Sequence, residues 1–139
     1  MIIELTDEQA YIIRDSLELY ARIRTGDFEQ IWNTLVWDCE KNGGVKGTTP
    51  NNYIWHNIVN ILKELWFPNL NNNGGYSSNW GVGHDKSADK AWTIMEVIRY
   101  YLAHKNYPLN TEENNREIVD HYKPTNWANF DKLPVIREE

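Results

Sequence analysis

Apolar positions recur with helical spacing in four stretches of this chain, and more weakly in a fifth. Thr6 has the chemistry of an N-cap, and Gln9 stands three residues later to complete a capping box. Behind it Ala10, Ile13, Leu17 and Tyr20 share one face, so the spacing predicts a first helix from Thr6 to Arg24, stopped by Gly26. Asp27 then restarts the chain as a second N-cap with Gln30 at its N3 position. Phe28, Ile31, Trp32, Leu35 and Cys39 come next as an apolar stripe and predict a second helix. "KNGGVKGTTPNN" breaks that pattern, and Thr49-Pro50 reads as a cap with proline at the first helical position. Ile54, Ile58, Ile61, Leu62 and Leu65 build a third helix that ends before Pro68.

From Asn69 to Gly83 the chain is a long polar loop of Asn, Gly and Ser. Ser87 is the expected cap of a fourth helix, with Ala91, Trp92, Met95, Ile98 and Leu102 on one face and Pro108 closing it. A weaker fifth helix starts at Thr111, Glu112 and Glu113 and carries Ile118, Val119 and Tyr122. Val135 and Ile136 are expected to pair with Ile2 and Ile3 as a small two-stranded ribbon. No internal repeat, dividing linker or long heptad run interrupts the order. The expectation is a mainly α protein, a single domain over residues 1–139, built as a compact bundle of four to five helices.

Composition narrows the functional classes. A 139-residue chain with 41% hydrophobic and 24% charged residues buries a core and is not a disordered chain. Its net charge of −6 opposes general nucleic-acid binding, which needs a basic face to displace counterions. The N-terminus "MIIELTDEQ" lacks the basic and apolar regions of a signal peptide, and no apolar run is long enough to span a bilayer. The expected setting is therefore the cytoplasm. One cysteine, Cys39, excludes an intrachain disulfide and reads as a core residue on the second helix. Seven tryptophans divide between filling a core and gripping a partner.

The loop stretch "GGYSSNWGVGHDKS" raises the question of a phosphate site. It fails as a P-loop, because Asp85 stands where a glycine must precede Lys86-Ser87 and Trp80 stands where the first glycine belongs. It fails as a dinucleotide fingerprint at Lys86. A looser arrangement remains: Tyr76 and Trp80 stack on a base, while Lys86 and Ser87 at the head of a helix meet an anion. Arg99 projects from the otherwise apolar face of the fourth helix and needs either a carboxylate or a ligand anion. Of the four histidines, His84 with Asp85 and Asp89 has donors suited to a metal, and Asp120 with His121 is a second such pair. No histidine falls in an established metal motif, and no cofactor is expected.

"LTDEQAYIIRDSLELYARIRTGDFEQI" resembles a family of small uncharacterised proteins of tailed phages and their bacterial hosts. The resemblance runs through Leu17-x-Leu19-Tyr20-x-Arg22-Ile23 and Gly26-x-Phe28-Glu29-x-Ile31. A second stretch, "KAWTIMEVIRYYLA", matches at Trp92, Val97, Ile98 and Arg99. The resemblance carries no catalytic residue or cofactor. It implies a phage or prophage origin, the host-cell cytoplasm, and action on host machinery by binding.

Together these readings favour a non-enzymatic binding protein, a counter-defence factor that masks a host protein or sequesters a small nucleotide signal. Its site would comprise Tyr76, Trp80, Lys86, Ser87 and Arg99, and a homo-oligomer is compatible with this. The alternatives are a metal-dependent hydrolase using His84, Asp85 and Asp89, and an acidic nucleic-acid mimic.

Overall fold

The computed structural model describes residues 4–31, 34, 52–70, 79–106 and 122–136. The fold is mainly α. Three helices are delimited among the described residues: α1 (Asp7–Arg24), α2 (Asn52–Trp66) and α3 (Lys86–Asn106). Residues 29–31 and 34 are helical as well. The chain divides into two units, one comprising Met1–Ala21 with Lys86–Glu139 and the other Arg22–Asp85. None of the described helices is long and apolar enough to cross a membrane.

Local chemistry sets both ends of α1. The Thr6 N–H donates to Gln9 Oε1 at 2.9 Å, and the Gln9 N–H donates back to Thr6 Oγ1 at 3.3 Å, closing the expected capping box. At the other end the Asp27 N–H reaches the Arg22 carbonyl at 2.8 Å and the Gly26 N–H reaches that of Ile23 at 3.1 Å. This 6→1 and 5→2 pair is a Schellman motif, and it requires the left-handed backbone that Gly26 supplies at φ +90°. Gly26 thus ends α1 as expected, Asp27 supplies the outer N–H of the motif, and its carboxylate bonds Arg22 Nη1 at 2.9 Å. Of the apolar stripe expected after it, Trp32, Leu35 and Cys39 lie outside the described residues, as do Thr49 and Pro50.

In the first unit α1 and α3 pack antiparallel. Ala10 near the start of α1 joins Ile98 and Leu102 near the end of α3, with Tyr11, Ile13, Leu17, Ile94 and Tyr101 against them. Ala21 near the end of α1 joins Ala88 and Ala91 near the start of α3, flanked by Leu17 and Trp92. Alanines on both sides let the backbones approach closely at that end. Lys105 Nζ to Asp7 Oδ1 at 2.8 Å closes the opposite end, although both side chains are well exposed and such a pair contributes at most about 1 kcal/mol.

α3 starts at Lys86, so Ser87 sits inside its first turn and Asp85 is the residue before it. The expected apolar face is buried at Ala91, Met95, Ile98 and Leu102. Asp89, Thr93 and Glu96 are buried too, which makes α3 the central rod of its unit, covered on more than one side.

The second unit holds α2. Its Val59 and Lys63 are fully buried, whereas Ile54, Ile58, Ile61 and Leu65 are exposed. Of the apolar stripe of this helix only Leu62 is half-buried, and the other four residues point outward. Phe67 comes just after α2, packs at 5.8 Å on Phe28 and approaches Gly26, while the Trp80 N–H bonds the Thr25 carbonyl at 3.0 Å. The fifth helix expected after Thr111 falls on 107–121 apart from Tyr122, outside the described residues. Ile2 and Ile3 also lie outside them, and Val135 and Ile136 are not in a strand.

Candidate functional site

The site begins with the polar side of α3. Asp89, Thr93 and Glu96 recur at i, i+4 and i+7, so one strip of the helix presents hydrogen-bonding groups. Thr93 Oγ1 donates to the Asp89 carbonyl at 2.8 Å and accepts the Ala128 N–H at 3.0 Å. Glu96 Oε1 accepts the indole N–H of Trp92 at 3.1 Å and of Trp127 at 3.2 Å. Its Oε2 accepts the Thr125 N–H at 2.6 Å. A carboxylate with only 7% of its residue exposed is tolerable because these donors replace the water it loses.

The same contacts hold 125–128 on α3. A tight loop then fixes residues 126–130: Asn126 Nδ2 donates to the Phe130 carbonyl at 2.7 Å, and Asn126 Oδ1 accepts the Phe130 N–H at 2.9 Å. Asn129 takes a left-handed φ of 53° inside it, a conformation that Asn tolerates better than most residues. The chain beyond this loop returns along the C-terminal half of α3.

Between helix and returning chain lies a groove with a volume of about 610 Å³. One wall is the outer face of α3, with Val97, Tyr100, Tyr101, His104 and Lys105. The other is Pro124 with Leu133, Pro134, Val135 and Ile136. The His104 and Tyr100 rings lie 3.9 Å apart with their planes tilted by 37°, and His104 Nδ1 lies 2.8 Å from the Tyr100 carbonyl. A carbonyl only accepts, so that contact places a proton on Nδ1 and leaves Nε2 as the other polar edge. Lys105 Nζ sits 6.0 Å from the Tyr101 ring centroid while pairing with Asp7. Such walls suit an apolar or aromatic ligand of modest size, with an imidazole and an ammonium at one end. Ionic chemistry is secondary, since the lysine of this groove already holds a carboxylate.

The five residues expected to bind a ligand are distributed differently. Tyr76 lies outside the described residues. Trp80 belongs to the Arg22–Asp85 unit, where its ring meets His84 edge-on at 4.8 Å. Lys86, Ser87 and Arg99 belong to the other unit, all on α3. Thirteen positions separate Lys86 from Arg99, which is about 20 Å of helix, too far for both to hold one phosphate. Arg99 is half-buried and engaged in contacts. Asp85 directly precedes α3 and pairs with Arg24 at 2.6 Å, so a carboxylate already stands at the head of that helix.

Sequence reasoning missed Glu96, Trp127 and the groove. A polar strip on a helix whose other positions are apolar is a usable signal that something else covers it. Asp89, Thr93 and Glu96 form such a strip. For the hydrolase alternative, no group of three or more His, Cys, Asp or Glu side chains among the described residues is placed to hold a metal ion. No family model, curated protein or solved structure matches this chain.

Proposed function

We propose that the protein is a non-enzymatic, phage-type binding protein that acts in the host-cell cytoplasm. It masks a host protein by holding an extended apolar segment of it in the groove beside α3. The composition of the groove walls carries this reading: five side chains of α3 face five residues of the returning chain, and most of them are apolar or aromatic. An extended peptide lays alternate side chains into such a groove, and the prolines opposite α3 keep that wall extended.

The nucleotide version has less support. Lys105 is paired with Asp7, and Lys86 and Arg99 stand too far apart on α3 to act on one phosphate. The counter-defence role rests on the resemblance to phage proteins together with a binding surface of this kind.

A nuclear magnetic resonance titration of the labelled protein tests the reading. One arm uses extended apolar peptides, the other mononucleotides and cyclic dinucleotides. The expected result is saturable shifts at Val97, Tyr101, His104 and residues 133–136 with peptides, abolished by Tyr101→Ala. Shifts with nucleotides alone would replace the host-protein reading with the nucleotide one, and silence in both arms would end the groove hypothesis.

A further inference from the structure

The outward face of α2 has a second property beyond its exposure. Ile54, Ile58, Ile61 and Leu65 step along the helix by four, three and four residues, the spacing of a two-helix seam. All four are exposed, with Ile61 at 64% and Leu65 at 66%, whereas Lys63 on the opposite face is at 0%. A helix that buries its lysine and exposes its isoleucines is organised for contact on the outer side. We propose that this face pairs two copies of the chain, α2 against α2, antiparallel about a two-fold axis near Val59 and Asn60.

Three observations select a second copy as the occupant. The stripe is self-complementary: antiparallel pairing sets Ile58 against the partner's Ile61 and Ile54 against the partner's Leu65. The flanks match as well. On one side Trp55 meets the partner's Leu62, and on the other Glu64 meets the partner's Asn57, whose amide can donate to a carboxylate. Parallel pairing would set Asn57 against the partner's Leu62, a polar group on an apolar one. The seam is also open: its four residues are 42–66% exposed, so pairing would remove apolar surface that the single chain leaves in water. Each copy carries a net charge of −6, so salt should strengthen the pair by screening repulsion.

Sedimentation equilibrium of the full chain from low to high micromolar concentration tests this. The expected result is a reversible dimer, tighter in added salt, that Ile61→Glu weakens by about 100-fold or more while leaving helicity unchanged. Ile61 is exposed in the single chain, so the glutamate is tolerated there. Orientation is read separately in a Cys39→Ser background. Chains carrying Ile54→Cys mixed with chains carrying Leu65→Cys should cross-link on oxidation, and faster than either alone. A chain that stays monomeric throughout overturns the proposal, even if it binds apolar helical peptides instead. So does a dimer that Ile61→Glu leaves intact. Faster cross-linking within each single variant than between them overturns the antiparallel arrangement.

Discussion

The indole N–H of Trp127 donates to Glu96 Oε1 at 3.2 Å across thirty-one residues of chain. This contact, with that of Thr125 to the same carboxylate, turns a segment without regular secondary structure into a wall of the groove. Without it, nothing in the local propensity of "PTNWANFDKLPVI" would keep that segment against α3.

Glu96→Ala should therefore destabilise the protein by about 3 kcal/mol, because two indole donors and a backbone N–H lose their acceptor in a largely buried place. Trp127→Phe removes one donor and keeps much of the ring, so its effect should be nearer 1 kcal/mol plus some lost packing. Urea unfolding gives both values. Limited proteolysis gives the location, with new cleavage in 124–136 in Glu96→Ala. Unchanged midpoints and an uncut tail would show that the carboxylate does not hold the wall.

Gly26 and Gly83 separate two costs of adding a methyl group. Both have positive φ, +90° and +95°, so alanine at either meets backbone strain of about 1 kcal/mol. At Gly83 the new Cβ has open space, whereas at Gly26 it comes within 3.1 Å of Leu70 Cδ2. Gly26→Ala should lose about 2 kcal/mol and Gly83→Ala about 1 kcal/mol. Equal losses in thermal unfolding would mean that Leu70 moves aside freely.

How much of this was legible in the sequence depends on the range of the forces involved. Both ends of α1 were, since the Thr6–Gln9 box and Gly26 act within a few residues. Asp27 was less legible, because the same residue type serves as an N-cap and as a salt-bridge partner, and here its carboxylate meets Arg22. For α2 the periodicity correctly grouped Ile54, Ile58, Ile61 and Leu65, yet periodicity reports which residues share a face and not what covers it. Glu96 was illegible for another reason: its partners lie on a segment whose return to α3 is a tertiary event. Arg99 and Lys86 could have been separated from the outset, because helical rise alone sets their distance.

Lys63 gives a prediction in which pH decides the sign. The side chain is fully buried on α2, and loss of hydration lowers its pKa from the ordinary 10.5, while the charges of Asp27 and Glu29 oppose that fall. The unfolded chain keeps the ordinary value. Between the lowered value and 10.5 the unfolded state thus binds more protons than the folded one, so raising the pH through that window favours folding. Below the window the ammonium's lost hydration is offset only in part by Asp27 and Glu29. Lys63→Met keeps the length of the side chain without the charge, so it should be as stable as the parent at neutral pH or more stable, by up to about 1 kcal/mol. That difference should shrink as pH rises toward 10.5, because Lys63 then loses its charge in the unfolded chain as well. Paired urea titrations along a pH series measure it. A gap that widens with pH, or a methionine variant clearly weaker at neutral pH, would mean that attraction to Asp27 and Glu29 outweighs desolvation, and that Lys63 is a stabilising buried cation.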